Sequence, residues 1–233
     1  MPRRLTTSPR LASAWGLLLD FVYPPRCGGC DRRGTWLCPE CLALVRPIGD
    51  GLLLVEHLDA LMCAGAFEGT LRKAIHNFKY NSDTPLAKPL AALAAGRLAD
   101  ERSLDRQDSE PPTLVPVPLH PARQRSRGYN QSHLLARELS RMTGWQVEMS
   151  LVRERNTRSQ VGLDAQQRRE NVSGAFAWTG QAVPERVVLV DDLCTTGATL
   201  SECAATLRSK GVLEVYAVTV AKAVGVAGDM NLR

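Results

Sequence analysis

Apolar and polar positions along the 233-residue chain repeat with two periods, that of a strand and that of a helix. Short continuous apolar runs, of which Val187–Val190 is the clearest, predict strands, because the strands of a parallel sheet are covered on both faces. Between such runs, segments such as Thr70–Tyr80 carry apolar residues at helical spacing. Strands that alternate with helices predict an α/β fold, a mostly parallel sheet flanked by helices.

The same pattern places the remaining elements. Further strands are predicted at Leu61–Phe67, Leu114–Pro118, Val147–Val152 and Glu214–Ala221. Helices are predicted from about Pro85, over Asn130–Met142 and after the Val187–Val190 strand. Loops are expected at 46–59, 102–112 and Leu119–Tyr129, and Arg153–Arg169 is a basic, polar segment with few apolar residues.

Composition is that of a globular chain with one main domain and a small additional module. With 44% apolar and 23% charged residues the chain can bury a core, and we divide it into residues 1–45 and residues 46–233. The net charge of +5 and the isoelectric point near 8.9 suit an anionic ligand, but they do not indicate nucleic-acid binding.

The apolar stretch Leu11–Val22 raises the question of secretion or membrane insertion. Asp20 interrupts this stretch, which is too short to span a bilayer. A signal peptide is the alternative, because arginines precede the stretch. Asp20 and the Pro24-Pro25 pair favour instead a helix docked on a cytoplasmic protein that has no membrane span.

The run Val187–Leu200 carries the most informative chemistry. Its apolar strand delivers two adjacent carboxylates, Asp191 and Asp192, to the edge where open α/β sheets bind ligands. A turn of small and hydroxyl residues then opens a helix, whose unpaired N–H groups can hold a phosphate. The turn residues are Thr195, Thr196, Gly197, Ala198 and Thr199. The alternative is a strand–turn–helix with an Asp cap, but adjacent buried acids are costly without a task. The run therefore predicts a sugar-phosphate site.

Four of the seven cysteines form two closely spaced CxxC pairs: Cys27, Cys30, Cys38 and Cys41. Four thiolates at this spacing can surround one Zn²⁺ tetrahedrally, which leaves no position for a catalytic water and predicts a structural site. The alternative is redox pairs or disulfides in a secreted domain. The odd total of seven cysteines and the preference against a signal peptide speak against that alternative.

Several blocks together carry a family resemblance. The Val187–Leu200 run resembles the motif of type I phosphoribosyltransferases that binds phosphoribosyl diphosphate (PRPP). The further blocks are Cys27–Cys41, Phe78–Tyr80, Val115–Pro118, Arg127–Gln131 and Thr157–Gln160. In this order they are similar to those of the ComF family, which is linked to DNA uptake in natural competence or to the use of DNA as a nutrient.

The resemblance implies a type I phosphoribosyltransferase fold with an N-terminal zinc module. It also implies that Asp191 and Asp192 hold the ribose hydroxyls of PRPP with Mg²⁺ nearby, and that Thr195–Thr199 cradle its 5′-phosphate. The candidates for binding the diphosphate are Arg127, Arg123, Arg125 and Lys79. Thr195 stands where purine-salvage relatives often carry an acid, so the resemblance assigns no catalytic residue.

Two functions follow as competing hypotheses. The first is a PRPP-binding transferase of unknown acceptor. The second is a non-enzymatic competence factor that binds single-stranded DNA or a helicase partner. The segment Arg153–Arg169 is compatible with an acceptor site, with contact to a nucleic-acid backbone, or with a solvated loop.

Overall fold

The computed structural model describes residues 24–49, 55–104, 110–155 and 165–224. The predicted N-terminal helix and the Thr157–Gln160 block lie outside these residues. The strands are β1 (Ala60–Ala66), β2 (Thr113–Pro116), β3 (Leu151–Arg153), β4 (Phe176–Trp178), β5 (Arg186–Cys194) and β6 (Glu214–Lys222). The helices are α1 (Pro39–Ala43), α2 (Gly69–Tyr80), α3 (Ala87–Asp100), α4 (Pro121–Arg127), α5 (Gln131–Thr143), α6 (Ala165–Val172) and α7 (Ala198–Ser209).

Four strands form a parallel sheet in the order β1-β6-β5-β2. The central strand β5 is almost wholly apolar up to Val190, as a strand covered on both faces should be. The short strands β3 and β4 pair antiparallel in a separate two-stranded sheet. The predicted α/β fold with a mostly parallel sheet is confirmed.

Side chains of β5 alternate between two apolar clusters, one on each face of the sheet. Val188 and Val190 pack with the buried faces of α2, α3 and α5, and Cys27, Cys38 and Cys41 join this cluster. Val187 and Leu189 pack with α7 and with the β3–β4 pair. Burial on both faces fixes the position of β5, and therefore the position of the residues at its C-terminal end.

The structure differs from the prediction at the end of β5, in the segment 153–169, where α6 begins at Ala165, and at the two elements described next. The predicted loop Leu119–Tyr129 contains the helix α4, which begins at Pro121 after a side-chain cap by His120. The predicted strand Val147–Val152 is a single bridge between Leu114 and Val147, and the strand itself begins only at Leu151. In both places the local chain lacks a clear apolar period, so the pattern carried little information.

Within the described parts of the chain, no helix combines the length and the apolar character that a membrane crossing requires.

Candidate functional site

The two acidic residues lie inside β5 rather than after its end. The strand continues through Asp191 and Asp192 to Cys194, still paired with β6. The pairing of β2 with β5, by contrast, stops at Pro116 opposite Val190. The last residues of β5, up to Cys194, therefore extend past the end of the neighbouring strand β2. This extension leaves room beside the acids on the β2 side.

A cavity of about 340 Å³ opens at this place. Its lining brings together most of the residues that the sequence singled out: Lys79, Arg123, Arg127, Asp191, Asp192, Thr195, Gly197, Ala198 and Thr199. Thr196 and Arg125 are exposed and do not belong to this lining. Ser132 and Arg153 also line the cavity, and the sequence did not single out either residue as part of the PRPP site.

The acid pair is held by two different partners. The Lys79 Nζ lies 2.9 Å from Asp192 Oδ2, and both side chains are largely buried. The Ser132 hydroxyl, at the start of α5, donates to Asp191 Oδ1 at 2.8 Å. The amide N–H of Asp192 donates to the same oxygen at 2.9 Å. The two neighbouring carboxyls thus differ in environment, since among the described residues Lys79 forms an ion pair with Asp192 and not with Asp191.

This difference perturbs the titration of Asp191. Burial, followed by the negative charge of Asp192, raises the pKa of Asp191 to about 7. The charge of Lys79 and the hydrogen bond from Ser132 act in the opposite direction but do not cancel this effect. Like charges one residue apart cannot both ionise easily in a partly desolvated site. The pKa of Asp191 therefore lies well above the usual range of an aspartate.

The block Arg127–Gln131 joins the helix that carries Lys79 to the rest of the cavity. The Tyr129 hydroxyl donates to the carbonyl of Phe78, next to Lys79. Asn130 caps α5, because its Oδ1 accepts from the Ser132 N–H at 3.0 Å. Arg127 donates to Gln131 Oε1 at 2.6 Å, so this guanidinium is already held towards the cavity before any ligand arrives.

The turn before α7 has the geometry of a phosphate cradle. Gly197 has a φ of +82° and precedes the first residue of the helix, Ala198. The N–H groups of the first helical turn have no partner within the helix. A Cβ on Gly197 would lie 2.6 Å from Val55 Cγ2, so both the backbone angle and the space call for glycine. Gly197, Ala198 and Thr199 of this turn line the same cavity as the acid pair.

The four cysteine sulfurs lie within 4.8 Å of one another. The sulfurs of Cys30 and Cys38 are 3.7 Å apart. A tetrahedral Zn²⁺ site with bonds of about 2.3 Å requires sulfur separations of about 3.8 Å. This cluster can therefore hold a metal ion, and four thiol ligands of this spacing fit Zn²⁺ better than a hard cation such as Mg²⁺.

Hydrogen bonding prepares one of these thiols for metal binding. Burial tends to raise the pKa of Cys27, but N–H groups of Cys38, Gly29 and Cys30 outweigh it and lower the pKa to about 6. The Cys38 N–H lies 3.3 Å from the Cys27 sulfur. Burial raises the pKa of Cys41 instead. A metal ion must therefore displace a proton at Cys41, whereas the hydrogen bonds to Cys27 favour its thiolate form.

The cysteine cluster packs directly on α2. The Thr70 hydroxyl donates to the carbonyl of Cys41 at 3.0 Å, and the Asn77 side-chain amide donates to the carbonyl of Gly28 at 3.0 Å. A Cβ on Gly29 would lie 2.8 Å from the Cys41 sulfur, so this CxxC loop can close only with glycine there. The same helix carries Lys79, two residues after Asn77.

Comparison with known proteins agrees with this geometry. Residues 83–226 match the family described as "Phosphoribosyl transferase domain". The chain is 34% identical over 203 residues to competence protein F of Haemophilus influenzae, covering 85% of each chain. It is 31% identical over 194 residues to DNA utilization protein YhgH of Escherichia coli K12, covering 81% of this chain and 85% of that protein.

Among solved structures, hypoxanthine phosphoribosyltransferase from Trypanosoma cruzi has a TM-score of 0.36 at 15% identity over 60% of this chain and 65% of that one. A likeness this distant carries no argument. The assignment rests instead on the family match and on the two relatives. The fold and the site define a protein of the phosphoribosyltransferase class. Within that class, the chain belongs to the ComF family, together with competence protein F and YhgH.

Proposed function

We propose that this chain binds PRPP with Mg²⁺ in the cavity beside β5 and transfers its phosphoribosyl group to an unidentified acceptor. One observation carries the proposal. The acid pair, the turn before α7 and the cations Lys79, Arg123 and Arg127 all line one cavity of about 340 Å³. This set of groups offers acceptors for sugar hydroxyls and donors for phosphates within reach of a single ligand.

Each group has a role that follows from its chemistry. The carboxylates of Asp191 and Asp192 accept hydrogen bonds from the ribose hydroxyls. The N–H groups of Thr195–Thr199 hold the 5′-phosphate at the start of α7. Lys79, Arg123 and Arg127 face the diphosphate, with Arg125 on the exposed side of α4 adding charge at longer range. Mg²⁺ would be held by the carboxylates, directly or through water, and would offset the charge of the diphosphate.

Transfer breaks the bond between C1 of the ribose and the diphosphate oxygen, and a bond from C1 to the acceptor forms. Catalysis of this step comes from positioning and from stabilising the charge that moves onto the diphosphate. Thr195, where purine-salvage relatives often have an acid, supplies no general base. We therefore expect an acceptor whose nucleophile needs no proton removed by this loop.

Calorimetric titration with PRPP, with and without Mg²⁺, tests the proposal. The wild type should bind saturably, and the Asp191→Asn/Asp192→Asn double variant should lose most of that affinity. An acceptor screen that follows diphosphate release then tests for transfer. A wild-type protein that neither binds PRPP nor releases diphosphate would overturn the proposal.

The names of the relatives favour a role in DNA uptake or in the use of DNA as a nutrient. Competence protein F and DNA utilization protein YhgH both align over most of this chain. A second candidate is therefore a non-enzymatic factor that binds single-stranded DNA or a competence helicase. It predicts salt-dependent DNA binding that survives the double aspartate substitution. Absence of DNA binding at low salt, together with no helicase capture, would speak against this candidate.

We further propose that the cysteine cluster holds one structural Zn²⁺ and that residues 1–45 form a module attached to the domain of residues 46–233. Sulfur distances that suit tetrahedral zinc support this assignment. A thiolate metal site also suits a reducing, cytoplasmic location. Elemental analysis of protein purified from zinc-replete medium should find about one zinc per chain.

A further inference from the structure

Ser132 is a buried residue of the cavity wall that the proposed PRPP contacts do not use. It is the second residue of α5, is only 1% exposed, and lines the same cavity as the acid pair. Its hydroxyl donates to Asp191 Oδ1 at 2.8 Å and so connects α5 with β5. A serine hydroxyl has one proton to donate, and here the carboxylate of Asp191 receives it.

A chain of hydrogen bonds fixes the position of Ser132. The side-chain amide of Asn130 donates to the carbonyl of Val117 at 3.1 Å, and Asn130 Oδ1 accepts from the Ser132 N–H at 3.0 Å. Asn130 is itself buried and caps α5. Because the cap uses the main-chain N–H of Ser132, the hydroxyl remains available for Asp191. The start of α5 is thus tied both to the segment after β2 and to the acid pair.

The two oxygens of Asp191 are used differently. Oδ1 accepts from the Ser132 hydroxyl at 2.8 Å and from the Asp192 N–H at 2.9 Å. A carboxylate oxygen has two lone pairs, so these two donors occupy the acceptor sites of Oδ1. Among the described residues, none donates a hydrogen bond to the other oxygen, Oδ2. Since Asp191 lines the cavity, it therefore offers one carboxylate oxygen to a ligand there.

We propose that Ser132 is a positioning residue, which holds Asp191 so that Oδ2 is available to one hydroxyl of the sugar phosphate. The proposal rests on the proposed function and adds one residue to the same site. Without the Ser132 hydroxyl, the carboxylate can turn about the Cβ–Cγ bond and must be ordered when the ligand binds. A carboxylate that is already oriented avoids this cost, so Ser132 raises the affinity for the sugar without touching it.

Calorimetric titration of the wild type and Ser132→Ala tests the proposal, with ribose 5-phosphate, magnesium diphosphate and PRPP plus Mg²⁺ as ligands. Ser132→Ala removes the hydroxyl and leaves the Asn130 cap in place, because that cap uses a main-chain N–H. Loss of the orienting hydrogen bond should weaken the binding of ribose 5-phosphate and of PRPP about 3- to 10-fold. The affinity for diphosphate, which has no sugar hydroxyl, should not change.

A double-mutant cycle shows whether Ser132 acts through Asp191. In the Asp191→Ala background, Ser132→Ala should cause no further loss of PRPP affinity. A further loss of the same size would mean that Ser132 acts independently of Asp191 and would overturn the proposal. Should Asp191→Ala bind PRPP too weakly for the cycle, the ribose 5-phosphate and diphosphate titrations of Ser132→Ala decide alone.

Ser140 supplies a matched control on the same helix. It lies eight residues further along α5 and is not part of the cavity lining. Ser140→Ala makes the same chemical change without touching the acid pair, so it should leave all three affinities unchanged. An equal loss in Ser140→Ala would show that the helix, and not the Ser132 hydroxyl, is responsible, and would overturn the proposal.

Unchanged affinity of Ser132→Ala for ribose 5-phosphate and PRPP would overturn the proposal. An equal loss for diphosphate would do the same, because it would indicate a general disturbance of the cavity. The proposed function fails separately, if the wild type binds ribose 5-phosphate but not PRPP; ribose 5-phosphate then still tests the role of Ser132. A wild type that binds none of the three ligands overturns both.

Discussion

Replacing Asp191 with asparagine perturbs the electrostatic balance of the acid pair. Lys79 contacts Asp192 at 2.9 Å, so Asp191 is left with burial and with its neighbour's negative charge, which raise its pKa to about 7. Asparagine has nearly the same size, and its side-chain oxygen can still accept from the Ser132 hydroxyl. The substitution therefore removes the charge and little else.

The size of the effect follows from the pKa. The rise from 3.8 to about 7 corresponds to about 4 kcal/mol, at about 1.4 kcal/mol per pH unit. Because Asp191 faces an open cavity, water and salt screen part of this, and we expect about 2 kcal/mol in the free energy of unfolding. Between the two pKa values the folded protein keeps a proton that the unfolded chain has released. Relative to the Asp191→Asn variant, the wild type therefore keeps its full stability below about pH 4 and loses stability as the pH rises to about 7.

Urea unfolding at about pH 5 and pH 8, in zinc-containing buffer, measures the effect. Asp191→Asn should be more stable than the wild type at pH 8 by about 2 kcal/mol, and by clearly less at pH 5. Asp192→Asn is the matched control with the opposite sign, because it leaves the largely buried Lys79 without its counter-charge. The reasoning is refuted if the stability of Asp191→Asn relative to the wild type does not increase between pH 5 and pH 8. It is also refuted if both variants differ from the wild type in the same direction.

Three further substitutions test the cavity and the cysteine cluster. Lys79→Met should destabilise the fold by about 3 kcal/mol in thermal or urea unfolding, because it strands the buried carboxylate of Asp192; an unchanged midpoint would show that the pair is not desolvated. Cys41→Ser should abolish stoichiometric zinc in elemental analysis and lower stability by several kcal/mol, since metal binding and folding of the cysteine segment are coupled; full zinc content in this variant would contradict a four-cysteine site. Gly197→Ala should lower the free energy of unfolding by about 2 kcal/mol, because of the positive φ and the contact with Val55. In a double-mutant cycle, adding Val55→Ala should recover the loss caused by the contact but not the loss caused by φ.

The sequence predicted the main sheet well because its strands are covered on both faces. Val187–Val190 is apolar without interruption, and it is indeed the centre of the sheet. The four cysteines were predictable for a similar reason, since spacing alone determines which thiols can meet around one ion. In both cases the signal is local in the chain.

Elements that depend on tertiary contacts were not predictable in the same way. The helix α4 has no buried residue, so no apolar period marks it. Its signals were Pro121 at the first turn and Gly128 after the last, both of which also occur in loops. Arg153 stood in a segment that looked basic and solvated, because the sequence does not reveal that Phe176 lies opposite. Ser132 likewise meets Asp191 only through the packing of α5 on the sheet.

The end of β5 shows how the fold brings two acidic residues of a strand to a cavity. Acidic residues were expected to follow the strand, because charges rarely occur inside a buried parallel sheet. The strand instead continues through Asp191 and Asp192, since β6 still pairs on one side while β2 has already ended at Pro116. One edge of β5 is thus stabilised by backbone hydrogen bonds and the other is open to the cavity. Both acids line the cavity, but alternation along this stretch buries Asp192 against Lys79 and leaves Asp191 partly exposed. Two adjacent acids with different environments therefore result from a mismatch in strand length, which only the three-dimensional pairing reveals.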